Sequence, residues 1–446
     1  MNIEQEVLSK IVPDETENSR ISNIVESVKN RVAETAVSLG ADVEPLLVGS
    51  VAKGTHLKNP DIDIFVQFPP STTREKLEDL GLKIGRAVLN DPEERYAEHP
   101  YIWGTYEGFV VEIVPCYKIN DPSQKMSAVD RTPFHTAYIM ENQKEEQKDQ
   151  VRLFKQFLKG TGIYGAEAEI EGFSGYLCEL MILYYGDFAN ALQNGKEWRK
   201  GTTITFDDRE HGEFREPLVV IDPVDPSRNV ASALSDENFA IFVHACREYI
   251  SNPRIEFFFP NKPKPDSLEN LKSRMESRGT TFLGIKFHAP KTLSDIVHSQ
   301  LRKAIIAIEK ECARHGFGIL GAHYYVNEDA LLLFEFEVSK LPSTKSHRGP
   351  PVWHPNSADF CAKWENSDKA KGGLYIKDGH WYVDIERDFT DASQLLTAKL
   401  TSLNLGRHLN EAVEKDFELL AGDELFQESR AAWLTMFLDK KFPWGY

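Results

Sequence analysis

The sequence predicts an α+β protein of several domains. Its 446 residues are more than one ordinary hydrophobic core holds. Apolar residues repeat with helical and strand periods in the first third of the chain, and with helical periods alone in the next part. A β-α-β-β order follows a proline-containing connector at residues 261–265. We therefore expect three parts, at residues 1–145, 146–258 and 259–446.

The first part is predicted to mix helices and strands. Apolar residues from Ile21 to Leu39 recur every 3.6 residues, which predicts an amphipathic helix ending at Gly40. A second helix is expected over residues 77–89. Strands are expected over residues 44–48, 62–68 and 109–117.

The second part is predicted to be helical and the third to contain a small sheet. Helices are expected after Gln147, with an apolar stripe of Val151, Phe154 and Leu158, and over residues 175–185 and 238–250. In the third part we expect strands over residues 282–287, 317–326, 330–338 and 381–385, and a helix over residues 293–315. This order suits a small sheet with helices on one face. Residues 340–354 are predicted to be a basic loop, and residues 392–421 to be helical in two pieces.

Composition and cysteine spacing are those of a reduced globular protein. Hydrophobic residues make up 41%, aromatic residues 11% and charged residues 27% of the chain, and no low-complexity tract is present. The five cysteines are far apart and none forms a C-x-x-C pair. The N-terminus has no basic region followed by an apolar stretch, and no apolar run of about 18 residues occurs. A cytoplasmic protein without a membrane partner is expected.

The net charge of −17 argues against a general polyanion binder, because long-range repulsion slows and weakens encounters with nucleic acid. A local basic groove is still compatible with it. Only a specific motif would outweigh this charge.

Three carboxylates in apolar surroundings are that motif. Residues two apart in a strand point to the same side, so Asp61 and Asp63 project together. Glu112 alternates with Val111 and Ile113 in the same way, and a neighbouring strand would bring it to the same place. A lone carboxylate in such an apolar run is costly without a partner.

Three acids without a nearby His-Cys cluster suit Mg²⁺, which prefers oxygen ligands. Two such ions would activate an attacking hydroxyl and neutralise a leaving pyrophosphate, and Gly49-Ser50 beside them would hold nucleotide phosphates. D-x-D pairs are more often solvated edges or turns, and Ser50 is equally suited to cap a helix. The spacing of all three features and their apolar flanks favour nucleotidyl transfer over a solvated edge or turn, while Ser50 still suits a helix cap as well.

The Gly-Ser turn and the three acids together resemble the nucleotidyltransferase superfamily of DNA polymerase β, poly(A) polymerases and 2′-5′ oligoadenylate synthetases. Longer runs are similar to the archaeal, class I CCA-adding enzymes, densely up to about Glu248 and more loosely beyond. These runs cover residues 95–101, 114–118, 127–135, 162–167, 172–180 and 222–225.

The resemblance implies the fold and the reaction. The fold is a polymerase-β-like nucleotidyltransferase domain, a helical central domain for nucleotide recognition, and an RRM-like α/β domain with a helical tail that binds tRNA. The reaction is the addition of C, C and A to the 3′ end of tRNA from CTP and ATP, without a template.

The resemblance also implies roles for individual residues. Asp61, Asp63 and Glu112 would hold two Mg²⁺ ions while the tRNA 3′-hydroxyl attacks the α-phosphate. Arg228 would help to read the base edge. The remaining residues would contact the triphosphate or the ribose: Ser50, Lys53, Thr132, His135, Lys155 and Tyr164.

Two positions depart from the family's pattern, which has Asp where this chain has Glu112 and Arg where it has Lys53. Glu reaches one methylene farther and still ligates Mg²⁺, so altered geometry is expected rather than loss of activity. Lys53 keeps the charge but lacks the two-pronged fork that Arg offers a phosphate.

The auxiliary residues also have simpler interpretations. The basic residues Lys148, Arg152, Lys155 and Lys159 are spaced by four, three and four, which places them on one helix face that is also compatible with plain solvation. His135 alone suits packing or the surface, and Tyr164 suits a core aromatic. Arg228 is equally suited to capping the end of a turn or to pairing with Asp225.

The partners follow from the resemblance and from one basic segment. Lys340, Lys345, His347 and Arg348 form a stretch without acids that suits an RNA backbone contact or a solvated loop. Scattered contacts of this kind would reconcile tRNA binding with the negative charge. The rival functions are a poly(A) polymerase, a 2′-5′ oligoadenylate synthetase or a non-catalytic RNA-binding protein. The sequence leaves open whether the chain forms a homodimer.

Overall fold

A computed structural model describes residues 2–96 and 98–446. Ala97, which belongs to the run at residues 95–101, lies outside the described residues, as does Met1. The chain forms two compact units. Unit 1 contains the residues up to Lys262 together with Lys441–Tyr446, and unit 2 is Pro263–Lys440. The division lies within the proline-containing connector.

Unit 1 begins with a five-stranded sheet and its helices. The strand order is β1-β2-β5-β4-β3, in which β2 and β5 are parallel and the other neighbours are antiparallel. In chain order the elements are α1 (Ile3–Ile11), α2 (Glu15–Ser38), β1 (Glu44–Val48), α3 (Gly49–Lys53), β2 (Ile62–Phe68), α4 (Arg74–Val88), β3 (Asn90–Tyr96), β4 (Pro100–Tyr106) and β5 (Phe109–Tyr117).

The predicted strands β1, β2 and β5 and the helices α2 and α4 are confirmed. Apolar residues of α2 and α4, such as Val28 and Leu77, are fully buried against one face of this sheet together with Ile64. The edge strand β3 was not predicted, since its side chains are exposed and give no apolar alternation. β4 and α1 were also missed.

The rest of unit 1 is mostly helical, as predicted. Its elements are α5 (Thr132–Asn142), α6 (Gln147–Thr161), α7 (Gly175–Tyr185), α8 (Phe188–Gly195), β6 (Thr202–Ile204), β7 (Leu218–Val220) and α9 (Asp236–Ser251). The predicted stripe of α6 is buried, with Phe154 packing edge-on against Phe173 and Phe242.

The aromatic core of this helical part is completed by residues near the end of the chain. Trp444 is 2% exposed and stacks on Phe257 with ring centroids 5.2 Å apart. Its indole N–H donates to Glu248 over 2.5 Å, and Asn261 donates to the carbonyl of Tyr446 over 3.0 Å. Lys441–Tyr446 is therefore an integral part of unit 1.

Unit 2 contains a four-stranded antiparallel sheet, β14-β8-β10-β9, and a three-stranded antiparallel sheet, β11-β13-β12. Its elements are α10 (Leu268–Ser277), β8 (Thr281–His288), α11 (Ser294–His315), β9 (Ile319–Val326), β10 (Asp329–Phe336), β11 (Thr344–Pro351), α12 (Ser357–Glu365), β12 (Tyr375–Lys377), β13 (His380–Glu386), α13 (Ala392–Lys399), α14 (Arg407–Lys415), β14 (Glu418–Ala421) and α15 (Ala431–Asp439). The predicted β-α-β-β order and the α+β class are confirmed.

Three details of unit 2 correct the predictions. Both faces of the four-stranded sheet are covered, one by a core containing α11 and the other by a core containing α10 and α15, instead of one face only. The basic segment predicted as a loop contains strand β11, which pairs with β13. Residues 418–421, predicted as helix, form strand β14 because they pair with the free edge of β8.

No helix within the described residues is long and apolar enough to cross a membrane.

Candidate active site

The strand register brings the acidic residues together at one end of the five-stranded sheet. Asp63 and Glu112 are directly opposite each other on the parallel strands β2 and β5. Asp61 immediately precedes β2 and lies two residues before Asp63. All three side chains line one cavity of about 640 Å³. The predicted convergence of the three acids on one site is therefore present.

Gly49 is required for this arrangement by its conformation and by its neighbour. Its φ of +72° lies in the left-handed region that favours glycine. A Cβ at this position would come within 1.9 Å of Asp63 Oδ2. The start of α3 can thus approach the carboxylate of Asp63 only because residue 49 has no side chain.

Burial and mutual repulsion raise the pKa values of the acids. Burial, followed by the charges of Glu112 and Asp61, raises the pKa of Asp63 to about 7. Burial and the charge of Asp61 raise the pKa of Glu112 to about 7. Burial also raises the pKa of Asp61. A cation placed among these acids would relieve the part of the shift that comes from their mutual repulsion.

The three acids fit divalent ions by their chemistry and do not form a closed ligand set. Among residues 2–96 and 98–446, no three His, Cys, Asp or Glu side chains are placed closely enough to hold a metal ion by themselves. An open set of carboxylates is what hard cations such as Mg²⁺ use when substrate phosphates and waters supply the remaining ligands.

The same cavity gathers most of the other predicted site residues. Those that line it are Ser50, Lys53, Thr132, His135, Lys155 and Tyr164. Arg228 does not line it. The structure therefore brings nine of the ten predicted residues to one cavity, in which the acids lie beside two buried lysines.

The two lysines share one buried carboxylate, that of Glu179 on α7, which is 0% exposed. Lys53 Nζ donates to Glu179 Oε2 over 2.5 Å, and Lys155 Nζ donates to Oε1 over 3.2 Å. The Thr55 hydroxyl also donates to Oε1, over 2.6 Å. Burial alone would raise the pKa of Glu179, but Lys53 and Lys155 hold it below its usual value. Glu179 is therefore a charged partner of both lysines.

The basic face of α6 contacts residues 54–56, which follow α3, and is not a plain solvated face. Arg152 donates to the carbonyl oxygens of Gly54 over 2.7 Å and of His56 over 2.9 Å. Lys155 is 2% exposed and bonds to Thr55. The simpler interpretation of this stripe as a solvated helix face is thus wrong for its two central residues.

His135, predicted to contact the nucleotide, belongs to a second network centred on Asp222. The ring of His135 stacks on Tyr176 with centroids 4.2 Å apart, and its Nε2 lies 2.9 Å from Asp222 Oδ2. Burial lowers the pKa of His135, and Arg228 and Arg131 add to the effect. His135 is therefore held as a part-buried ring at the wall of the cavity.

Arg228 and Tyr176 bind the same aspartate. Arg228 Nη1 donates to Asp222 Oδ2 over 3.0 Å, and the Tyr176 hydroxyl donates to Oδ1 over 3.2 Å. The alternative pairing of Arg228 with the Asp225 side chain is wrong, since the Asp225 carboxylate bonds to Lys125 and Arg131. Arg228 is thereby linked to the cavity through His135.

Ser50 and Tyr164 also have defined environments. The residue that caps α3 is Val48, so Ser50 is the second helical residue and does not cap the helix. Tyr164 lines the cavity, and Lys159 lies over its ring at 5.2 Å. Burial raises the pKa of Tyr164, so its hydroxyl is a neutral donor.

Sequence reasoning missed Glu179 and Asp222, which anchor the predicted residues. Glu179 lies in the apolar run of α7, between Cys178 and Leu180. A single acid in an apolar run is the same pattern that identified Glu112 as a candidate site residue. A lone acid in such a run requires a buried partner, so a signal was available. Asp222 lies in a proline-rich turn and has no comparable signal.

Three family sequence profiles match the chain. The nucleotidyltransferase domain matches residues 25–135, the second domain of tRNA nucleotidyltransferases matches residues 149–259, and the C-terminal domain of CCA-adding enzymes matches residues 278–422. The matches follow one another along nearly the whole chain.

Curated relatives are similar over their full lengths. The CCA-adding enzyme of Haloarcula marismortui is 36% identical over 94% of this chain and 94% of its own length. That of Methanosarcina barkeri is 39% identical over 93% of this chain and 92% of its own length. Among solved structures, that of the Cid1 poly(U) polymerase with Mg 3′-dATP bound has a TM-score of 0.45 and 16% identity, covering 56% of this chain and 94% of that chain.

Proposed function

The chain belongs to the family of archaeal CCA-adding enzymes, and from this premise we propose that its cavity joins CTP and ATP to the 3′ end of tRNA. The reaction adds C, C and A with release of pyrophosphate. The observation that supports the site is the placement of Asp61, Asp63 and Glu112 at a cavity that also contains two buried lysines.

Asp61, Asp63 and Glu112 are the residues that would hold the divalent ions, and two Mg²⁺ ions are proposed. When bound, such ions activate the attacking hydroxyl and stabilise the pyrophosphate leaving group. The parallel register of β2 and β5 places Asp63 directly opposite Glu112, and Asp61 precedes β2 at the same cavity. Glu112, where the resemblance implies Asp, carries its carboxylate on a side chain that is one methylene longer.

The residues around the acids are proposed to bind the nucleotide. Lys53 and Lys155 supply positive charge for the triphosphate. Ser50 lies on α3, the helix that also carries Lys53, and lines the same cavity. Thr132 and Tyr164 supply hydroxyl groups at the wall of the cavity. Arg228 and His135, both held by Asp222, are proposed to recognise the base or the ribose.

The remaining assignments concern the larger parts of the chain. We propose residues 1–145 as the catalytic domain, 146–258 as the nucleotide-recognition domain and 259–446 as the part that binds tRNA. The order of the family matches supports this division. A cytoplasmic location stays a prediction.

The function is tested with tRNA that lacks its 3′ end and with labelled CTP and ATP. We expect C, C and A to be added in that order, followed by arrest. Continued addition of A would indicate a poly(A) polymerase, and 2′-5′ linked products would indicate an oligoadenylate synthetase. Binding of tRNA without any addition would indicate a non-catalytic relative.

The raised pKa values predict how stability depends on pH and on Mg²⁺. Unfolded Asp and Glu titrate near 4, whereas Asp63 and Glu112 titrate at about 7 in the folded chain. Between these values the folded, metal-free protein keeps protons that the unfolded chain has released. Its free energy of unfolding therefore falls as the pH rises through this window.

Mg²⁺ is expected to reverse this loss. We expect it to raise the melting temperature by roughly 3 °C or more at pH 8 and by much less at pH 5.5. Differential scanning calorimetry at the two pH values measures the effect. The variant Asp63→Asn is the control and should lose most of the response at pH 8. An equal response at both pH values would argue against ion binding at these acids.

A further inference from the structure

Glu179 has no part in the reaction described above, yet it contacts two of the residues proposed to bind the triphosphate. Its carboxylate accepts hydrogen bonds from Lys53, Lys155 and Thr55, with distances of 2.5, 3.2 and 2.6 Å. The three donors come from α3, from α6 and from the chain that follows α3. One side chain of α7 thus contacts two other segments, residues 53–55 and α6, at the cavity that it also lines.

The lysines need this carboxylate because both are buried. Lys53 is 8% exposed and Lys155 is 2% exposed. Two ammonium groups enclosed together repel each other, and a buried charge without a partner is strongly disfavoured. The carboxylate of Glu179 neutralises one of the two charges, so one positive charge remains beside the cavity.

The bonds also fix the direction of the lysines. A lysine has a flexible four-carbon stem, and its ammonium group has no preferred orientation of its own. Glu179 holds one ammonium group on each of its two oxygens. Both groups also line the cavity that contains the three acids. They are thus placed before any anion arrives, which reduces the cost of binding it.

We propose that Glu179 is a positioning residue for the nucleotide, which holds Lys53 and Lys155 together at the place where the triphosphate binds. This inference rests on the proposed function and adds the residue that organises its phosphate site. Glu179 also lines the cavity, but its negative charge disfavours direct contact with a phosphate, so the role assigned to it acts through the two lysines.

The test is Glu179→Gln in the full chain, with binding of CTP and of inorganic tripolyphosphate measured by calorimetry in the presence of Mg²⁺. Steady-state kinetics give KM and kcat for each substrate. We expect both dissociation constants, and KM for CTP and ATP, to rise roughly 10- to 100-fold, as for loss of a charged hydrogen-bond partner. KM for tRNA should stay within about twofold. Glu179→Asp, which keeps the charge, should recover part of the loss.

Glu335 offers a matched control in unit 2. It is also 0% exposed, and its carboxylate bonds to Arg278 and to the Thr280 hydroxyl. Glu335→Gln makes the same chemical change in a similar buried network. It should lower stability without changing KM for CTP. A rise in KM for CTP in this variant would show that the loss of any buried acid has the same effect.

A double variant keeps the test valid if Glu179→Gln does not fold. Lys53→Met with Glu179→Gln removes one charge of each sign. Glu179 still holds Lys155 in Lys53→Met, so the double variant should bind tripolyphosphate more weakly than Lys53→Met alone, and Glu179→Asp in the same background should recover part of this loss. Equal binding of tripolyphosphate by the double variant and by Lys53→Met would overturn the proposal.

The remaining outcomes separate this inference from the proposed function. Unchanged binding of tripolyphosphate and CTP in a folded Glu179→Gln protein would overturn the positioning role, while CCA addition by the parent would stand. If the parent binds tripolyphosphate but adds no nucleotide to tRNA, the proposed function fails, and the comparison of the two proteins still decides the role of Glu179. If the parent binds neither anion, both are wrong.

Discussion

Asp63→Asn is expected to lower nucleotide addition roughly a thousandfold or more, because the divalent ions that Asp63 would hold stabilise the transition state by several kcal/mol. The substitution keeps the size of the side chain and removes its charge. Its pKa of about 7 shows that the ionised carboxylate is disfavoured in the metal-free fold. The variant should therefore be at least as stable as the parent without metal, and still be inactive.

Single-turnover incorporation of labelled CTP measures this effect, and filter binding measures tRNA affinity. The affinity for tRNA should change by less than about threefold, since one charge among many contributes little. Asp79→Asn is the control, because Asp79 is exposed and bonds to Lys83 on α4. A variant that retains more than a tenth of the parental rate would remove Asp63 from the reacting groups.

Trp444→Ala is expected to have the largest effect on stability. The indole is 2% exposed, stacks on Phe257 and Phe442, and donates to Glu248. Replacing a buried Trp by Ala typically costs about 3–5 kcal/mol, because packing is lost and a cavity is left behind. We expect this loss in the free energy of unfolding of unit 1.

Urea unfolding, followed by circular dichroism, measures the change in midpoint. Trp353→Ala is the matched control, since Trp353 is 79% exposed and its loss should change the free energy of unfolding by no more than about 0.5 kcal/mol. Equal midpoints for the two variants would show that residues 441–446 do not contribute to the core of unit 1 in solution.

Much of the acidic site could be predicted because it follows from local periodicity. The alternation around Asp63 and Glu112 places each carboxylate on one side of a strand, whatever the rest of the fold does. The parallel register that sets them side by side is a long-range property, and the sequence supplied it only as an expectation.

The residues that anchor the site were harder to predict because their partners are distant along the chain. Glu179 bonds to Lys53 across 126 residues of sequence, and Asp222 lies next to His135 across 87 residues. An apolar run around an acid indicates that a partner exists and does not identify it. Only the fold shows that two lysines share one carboxylate.

The errors in unit 2 have similar causes. Strand β10 contains Leu331, Leu332 and Leu333 in succession, a continuous apolar run that is typical of a strand buried on both faces. Such a run predicts that both faces of the sheet are covered. The expectation of helices on one face alone disregarded it. Strand β11 ends in two prolines, which favour a loop locally, yet pairing with β13 outweighs that preference.

The return of the chain to unit 1 has a consequence for biosynthesis. The aromatic core that begins with α6 stays incomplete until Trp444 joins Phe257, so it cannot close while unit 2 is still being translated. At ordinary ribosome speeds this delay is roughly ten seconds or more. During that interval the nascent polypeptide would present an unfilled apolar surface to chaperones, and premature termination would leave an incomplete unit 1 that is prone to degradation.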